Sequence, residues 1–230
     1  MRQIFLDTET TGLFPDKGHR IIEIGCVEMI NRRLTGDIYH TYLNPERDIE
    51  AGAKNITGIS EEFLLDKPRF SEIVSDFKRF IEGAELIIHN APFDIGFIEH
   101  ELALVKDPWQ DLSEYCKIFD TLALAREKHP GQKNNLDALC KRYKINNSKR
   151  TFHGALLDAN ILADVYLAMT GGQGSLSLDE DNSQLASVEM LADPGKGGVE
   201  KNYVVVKASS EELALHEKMM KMISDYSIRD

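Results

Sequence analysis

The sequence predicts an α/β fold in which helices flank a mixed central β-sheet, followed by a flexible linker and a small C-terminal binding segment. Three strand-like stretches follow one another within residues 1–43, and beyond residue 84 short strands alternate with helices. From residue 171 to about residue 199, Gly, Ser, Gln, Asp and Asn dominate, which is typical of a linker. We therefore predict a folded domain over 1–172, a linker over 173–200 and a terminal segment over 201–230.

The opening strands are predicted to form an antiparallel meander. Ile4-Phe5-Leu6 is an apolar run typical of a buried strand, and residues 20–30 are rich in β-branched side chains. Residues 31–36, Asn-Arg-Arg-Leu-Thr-Gly, are typical of a hairpin turn. The third strand is then expected to run from Ile38 to Leu43.

Helical periodicity follows this meander. Apolar side chains at helical spacing predict a helix over residues 70–81, and the stretch before it, around Gly52 and Gly58, is predicted to be a loop. An apolar strand over residues 85–90 leads into a helix that starts near Pro92, since proline is favoured in the first helical turn. The remaining predicted elements are a strand at 118–119 and helices over 122–128, 134–143 and 155–169.

The composition excludes several functional classes. The 230 residues carry a net charge of −11, and an acidic chain is a poor DNA binder on its own because phosphate affinity comes mainly from Lys and Arg. Three widely spaced cysteines, Cys26, Cys116 and Cys140, indicate neither a disulfide framework nor a zinc site, and favour reduced thiols in the cytoplasm. No signal peptide and no apolar run of membrane length is apparent, so no membrane partner is expected.

Four acidic residues and one histidine are candidates for chemistry. Asp7 and Glu9 follow the first strand at i and i+2, so their side chains point to one face, with no Lys or Arg beside them. Asp94 lies in a first helical turn, where helix capping alone would explain it. Asp158 lies inside an apolar helical segment, where an unpaired carboxylate is costly. His153, five residues earlier, would alone be a structural cap.

Taken together, these residues predict a metal site. Up to four negative charges on oxygen ligands suit Mg²⁺ or Mn²⁺ rather than zinc. Two such ions about 3.5–4 Å apart can bind the attacking and leaving oxygens of a phosphodiester displacement. Histidine, with an unperturbed pKa of about 6.5, suits a general base at neutral pH, so His153 is the candidate base.

The order and spacing of these residues resemble a known enzyme family. Residues 7–13 (Asp-Thr-Glu-Thr-Thr-Gly-Leu), residues 90–94 (Asn-Ala-Pro-Phe-Asp) and His153-x-x-x-x-Asp158 are similar to the three motifs of DEDD-type 3′–5′ exonucleases of the histidine branch. The resemblance implies the ribonuclease-H-like exonuclease fold. Further segments resemble the proofreading subunits of bacterial replicative DNA polymerases, at 31–36, 63–68, 146–151 and 166–173.

This resemblance implies a role for each residue. Two divalent metal ions would be bound by Asp7, Glu9, Asp94 and Asp158, and Asp7, Glu9 and Asp158 would also contact the substrate. His153 would deprotonate the water that attacks the 3′-terminal phosphodiester, releasing a nucleoside monophosphate. Thr10 and Leu13 would hold the terminal nucleotide. Thr57 would lie over it, although several relatives have histidine there. His89 has two interpretations, a structural hydrogen bond or a catalytic role.

The tail is expected to bind partners. Residues 173–178 resemble peptides that bind bacterial sliding clamps, with Gln173, Leu176 and Leu178 as the contact residues. Residues 201–230 include a strand-like run at 203–206 and an amphipathic helix over 209–226, and resemble the region through which the family binds its polymerase subunit. A tether of this kind supplies the affinity for DNA 3′ ends that the acidic composition lacks.

Several alternatives stay open from the sequence. The apolar stripe of the terminal helix could pack against the catalytic domain instead of a partner. A stand-alone DEDD nuclease that trims RNA or small oligonucleotides would need neither clamp peptide nor tether. A non-catalytic replisome linker would keep the fold without activity, although all five catalytic-type residues are present. The sequence also leaves open the physiological metal and whether a small accessory subunit binds the catalytic domain.

Overall fold

A computed structural model describes residues 1–109, 111–148, 152–171 and 216. The chain divides into two compact units, Met1–Gly174 and Ser175–Asp230, and the elements described below belong to the first. The predicted linker, the clamp peptide with Gln173, Leu176 and Leu178, and the strand at 203–206 lie outside the described residues. Within the predicted terminal helix the structure describes only His216, which is helical and exposed.

In the described part of the chain, a five-stranded sheet has the order β3-β2-β1-β4-β5. Its strands are β1 (Arg2–Thr10), β2 (Ile21–Ile30), β3 (Arg33–Tyr42), β4 (Glu85–Ile88) and β5 (Lys117–Asp120). The first three strands pair antiparallel, whereas β4 pairs parallel to both β1 and β5. The predicted mixed sheet, with its opening meander, is confirmed.

Helices cover both faces of this sheet. They are α1 (Ala51–Thr57), α2 (Glu61–Leu64), α3 (Phe70–Ile81), α4 (Ala91–Leu104), α5 (Thr121–Lys128), α6 (Leu136–Tyr143) and α7 (Ala155–Thr170). The helix predicted over 70–81 has these bounds, and Pro92 lies in the first turn of α4 as expected. None of the helices in the described residues combines the length and apolar character needed to cross a bilayer.

The alternation of β1 assigns its side chains to two cores. Ile4 and Leu6 are buried on the face covered by α3 and α4, where they join Phe97. Phe5 is buried on the opposite face and makes an edge contact with Tyr166 of α7, at 5.3 Å between ring centroids. Burying side chains of this size contributes roughly 1.5–3 kcal/mol each, so the two cores hold β1 firmly between the helical layers.

The same alternation of side chains continues to the polar end of β1. Asp7 and Glu9 continue the alternation of Phe5 and therefore project on the face of α7, whereas Thr8 projects on the face of α4. The backbone N–H and the hydroxyl of Thr8 both donate to Asp94 of α4, at 3.0 and 2.7 Å. The end of β1 thus presents polar groups to both helical layers.

The start of α7 lies directly against β2. A Cβ atom at Gly25 would overlap the backbone of Ala155 and Leu156. Glycine is therefore required for this close approach of helix and strand. The contact fixes the position of Asp158, one turn into α7, relative to the sheet.

The predicted turn after β2 is wrong in its extent. Asn31 and Arg32 alone form the turn, both with positive φ (51° and 64°), and this geometry matches the twist of a two-residue hairpin. Because the turn is short, β3 begins at Arg33 rather than at Ile38.

The predicted loop around Gly52 and Gly58 is also wrong, since this stretch contains α1, which ends where Gly58 adopts a left-handed conformation. A separate apolar cluster explains why the segment folds, because Ile49, Ile59 and Leu64 pack on Ile22 of β2. The helix therefore depends on tertiary contacts more than on local propensity.

Candidate active site

The candidate site lies at the edge of the sheet where the parallel strands β1, β4 and β5 end. The carboxyl ends of parallel strands meet at one edge, and loops beyond them form crevices. A cavity of about 630 Å³ opens there. Its lining includes all five residues predicted to perform the chemistry, Asp7, Glu9, Asp94, His153 and Asp158.

Asp94 is a buried carboxylate of this cavity that is bonded to the neighbouring strand. Its side chain is buried at the start of α4, and its Oδ1 accepts both hydrogen bonds from Thr8. Burial raises the pKa of the Asp94 carboxyl to about 7, while the hydrogen bonds from Thr8 act in the opposite direction. The two bonds from Thr8 tie this carboxylate to β1, so a favourable position in the first helical turn is not the whole of its structural role.

Glu9, His153 and Asp158 form a cluster on the other side of the cavity. Each offers a ligand atom, and these atoms lie within 4.8 Å of one another. His153 Nδ1 lies 3.6 Å from Asp158 Oδ2, and the histidine side chain is 44% exposed while the aspartate side chain is 3% exposed. The backbone N–H of His153 donates to the carbonyl of Ile56 at 3.0 Å, which anchors the segment before α7 to α1. The imidazole thus lies between a buried carboxylate and solvent.

The donor set of the cavity fits hard divalent cations. Five of the described lining residues are Asp or Glu, and among them Arg126 is the single Lys or Arg. Carboxylate oxygens are the preferred ligands of Mg²⁺ and Mn²⁺, and cations that bind there would offset the cost of burying these charges. The residues able to hold such ions are Asp7, Glu9, Asp94 and Asp158.

A second cavity, of about 220 Å³, collects the residues predicted to hold a nucleotide. Thr10, Leu13 and Thr57 all line it, and Glu9 and Phe93 line both cavities, so the two adjoin. The Thr10 hydroxyl donates to the Gly12 carbonyl at 2.6 Å, and the Thr57 hydroxyl donates to the Ala53 carbonyl at 3.0 Å. Both hydroxyls are therefore engaged by backbone, whereas Leu13 is 63% exposed at the cavity.

His89 makes a structural hydrogen bond, which agrees with one of the two interpretations of this residue. Its Nδ1 lies 2.9 Å from the hydroxyl of Thr121, which donates in turn to the carbonyl of Ile88 at 3.1 Å. The Thr121 oxygen is thus the acceptor for an N–H on Nδ1. The ring also lines the first cavity.

The cavities include residues that the sequence did not single out. Phe93 lies in the motif before Asp94, and it packs against the core as well as lining both cavities. Arg126 follows Leu122 by four residues on α5, so the two side chains share one face of the helix, and both line the first cavity. This spacing is only a weak indication from the sequence that Arg126 lies at the site. Glu50 lines the second cavity, and nothing in the local sequence marks it.

Comparison with known proteins identifies the family. Residues 4–166 match the Exonuclease family. The chain is 50% identical over 232 residues to DNA polymerase III subunit epsilon of Salmonella typhimurium, which covers 96% of this chain and 93% of that protein. The subunit of Escherichia coli is 49% identical with the same coverage. The chain belongs to the DNA polymerase III epsilon family. It is thus a metal-dependent 3′–5′ exonuclease, as the motifs predicted.

The relatives align with nearly the whole length of this chain. The epsilon subunit of Rickettsia felis is 49% identical over 223 residues and covers 97% of this chain and 97% of its own length. The relatives therefore match the tail as well as the exonuclease domain.

Solved structures confirm the predicted fold. Exonuclease X in complex with 5′-overhanging duplex DNA superimposes with a TM-score of 0.57 at 26% identity, over 75% of this chain and 93% of that chain. The nuclease domain of 3′hExo, a DEDDh family member bound to rAMP, superimposes with a TM-score of 0.63 at 18% identity, over 73% of this chain and 90% of that chain. At this low sequence identity, the similarity to 3′hExo supports the fold alone.

Proposed function

We propose that this exonuclease is the 3′–5′ exodeoxyribonuclease that proofreads for a bacterial replicative polymerase, DNA polymerase III. It hydrolyses the 3′-terminal phosphodiester of mispaired primer ends and releases nucleoside 5′-monophosphates. One observation supports this proposal above the others. The five predicted chemical residues line one cavity, and a smaller cavity suited to a terminal nucleoside adjoins it.

Two divalent cations, Mg²⁺ or Mn²⁺, would be held by the carboxylates of Asp7, Glu9, Asp94 and Asp158. Such ions supply Lewis-acid activation of water and stabilise the negative charge that develops on the phosphate. Thr8 orients Asp94 through two hydrogen bonds. Because Asp94 and Asp158 are both buried, their positions are fixed by packing before any ligand binds.

His153 acts as the general base. Its ring is partly exposed, so the attacking water reaches it, and the carboxylate of Asp158 at 3.6 Å favours the imidazolium that forms when His153 accepts the proton. The hydrogen bond from its backbone to Ile56 keeps the ring at the cavity.

The 3′-terminal nucleoside occupies the second cavity. Leu13, Ile56 and Phe93 supply apolar surface for a base, and the backbone around Thr10 and Thr57 closes around it. A paired terminus must first unpair, at a cost of a few kcal/mol, before it can enter. The site therefore favours mispaired, frayed ends.

His153→Asn tests the role of the base. We expect kcat on a single-stranded oligonucleotide to fall by about 10²–10⁴-fold while KM changes little, with nucleoside 5′-monophosphates measured by chromatography. His100→Asn is the matched control, because His100 lines neither cavity. If His153→Asn kept more than about a tenth of the wild-type kcat, proton transfer by this residue would be excluded.

The tail, we further propose, connects the enzyme to the replisome in the cytoplasm. Residues 201–230 bind the alpha subunit of polymerase III, and Gln173, Leu176 and Leu178 bind the sliding clamp. The supporting observations are the net charge of −11 and relatives named as polymerase subunits that match nearly the whole chain. An accessory subunit on domain 1–172 is compatible with this arrangement.

Two variants separate these partners. A chain truncated after residue 172 should keep its activity on free oligonucleotides and lose co-elution with both the alpha subunit and the clamp. The triple variant Gln173→Ala/Leu176→Ala/Leu178→Ala should lose the clamp alone. Retention of the alpha subunit by the truncated chain would exclude the tail as the tether.

A further inference from the structure

A buried histidine lies behind the second cavity. His19 is 3% exposed. Its Nδ1 accepts a hydrogen bond from the backbone N–H of Phe14 at 3.0 Å, and its Nε2 lies 3.0 Å from Glu50 Oε1. Because Nδ1 is an acceptor, the ring is neutral with its proton on Nε2, and that N–H donates to the Glu50 carboxylate.

These two bonds join the two walls of the cavity. Phe14 follows Leu13 in the connection between β1 and β2, and Glu50 is the residue immediately before α1, which carries Thr57. The backbone N–H of Glu50 also donates to the carbonyl of Thr11, at 2.9 Å. Leu13, Glu50 and Thr57 all line the cavity, so the imidazole lies at the junction of its walls.

Gly12 makes room for this arrangement. A Cβ atom at Gly12 would overlap the ring of His19 and would lie 2.8 Å from Glu50 Oε2. Any other residue at position 12 would push the ring or the carboxylate away. The glycine that follows the acidic motif is thus explained by His19 and Glu50.

We propose that His19 is a positioning residue for the 3′-terminal nucleoside, because its bonds to Phe14 and Glu50 set the spacing between Leu13 and α1. The inference rests on the proposed role of the second cavity. Without these bonds the exposed Leu13 is held less firmly against α1, so the cavity binds its nucleoside more weakly. The carboxylates and His153 are unaffected, so the chemical step keeps its rate once substrate is bound.

The test uses the p-nitrophenyl ester of thymidine 5′-monophosphate, which offers one nucleoside and no upstream DNA. His19→Asn keeps an acceptor near the position of Nδ1 but does not reach Glu50, and Glu50→Ala removes the same bond from the other side. We expect both variants of the full chain to raise KM about 5–20-fold and to leave kcat within about twofold. Glu50→Gln keeps an acceptor oxygen and should restore KM to within about twofold of wild type.

Controls separate this inference from the proposed function. Asp48→Ala removes an exposed carboxylate outside the second cavity and should leave KM unchanged. Leu13→Ala tests the cavity itself and should also raise KM. If Leu13→Ala raised KM while His19→Asn and Glu50→Ala did not, the role of His19 would be overturned and the cavity would keep its role. If Leu13→Ala left KM unchanged, the nucleoside would bind elsewhere and the inference would fall with it.

Thermal unfolding of the same variants completes the test. Glu50 has a side chain that is 53% exposed, so Glu50→Ala should fold even if a change at buried His19 does not. A lower melting temperature with unchanged KM in both Glu50→Ala and His19→Asn would show a purely structural role and overturn the proposal.

Discussion

Replacing Asp94 by Asn should stabilise the metal-free protein and abolish its activity. Burial raises the pKa of this carboxyl from 3.8 to about 7. Since the folded chain binds this proton more tightly than the unfolded chain, the contribution of Asp94 to the free energy of unfolding is most favourable below pH 4 and falls as the pH rises towards 7. Above pH 7 this loss is on the order of 4 kcal/mol, because one pKa unit corresponds to about 1.4 kcal/mol.

Asn can accept the hydrogen bonds of Thr8 without a charge. In chelator, the variant should therefore exceed wild type in free energy of unfolding by on the order of 4 kcal/mol at pH 8, and the difference should shrink as the pH falls towards 4. Saturating Mg²⁺ should reverse the order, because the ion binds folded wild type and neutralises its carboxylates. Urea unfolding, followed by the fluorescence of Trp109, the single tryptophan, measures the free energy of unfolding in chelator and in Mg²⁺.

Two results would refute this reasoning. The first is a variant less stable than wild type in chelator at pH 8. The second is a stability difference that does not grow between pH 4 and pH 8. Asp164→Asn is the matched control, because Asp164 is an exposed aspartate on α7 and its replacement should change neither stability nor metal response.

Three further predictions concern the surroundings of the site. Thr8→Val removes the 2.7 Å hydroxyl bond to Asp94 and should lower activity at limiting Mg²⁺ about 10–100-fold in a metal titration. Gly25→Ala should lower the free energy of unfolding by about 1–3 kcal/mol and reduce kcat, because the new methyl group displaces the start of α7. Gly96→Ala, with open space around the added atom, is its control. Arg126→Gln should weaken binding of single-stranded DNA and reduce the slope of log affinity against log salt by about 0.7, measured by fluorescence anisotropy.

The sequence predicted the elements whose signals are local. The apolar spacing of residues 70–81 and the position of Pro92 depend on the residues of one helix, so both elements were found. Asp7, Glu9 and Asp158 stood out because carboxylates beside apolar runs are costly without a partner. The order and spacing of the three motifs are sufficient to indicate the family.

What the sequence could not predict depends on contacts between distant residues. α1 is flanked by Ile49 and Ile59, which pack in one cluster with Ile22, and no local periodicity shows this contact. The hairpin turn has positive φ at two non-glycine residues, a conformation that the residue types do not indicate, so the sequence does not reveal how short the turn is. His19 and Glu50 are 31 positions apart, and only the fold brings them together.

The central claim is that the carboxylate-lined cavity removes mispaired 3′ ends. The most direct test is digestion, with Mg²⁺, of a 5′-labelled primer–template that is matched or mismatched at its 3′ end. Wild type should shorten the primer stepwise from the 3′ end and faster on the mismatch, and Asp7→Ala/Glu9→Ala should leave both primers intact. No cleavage by wild type, or equal cleavage by the double variant, would contradict the assignment of this cavity as the active site.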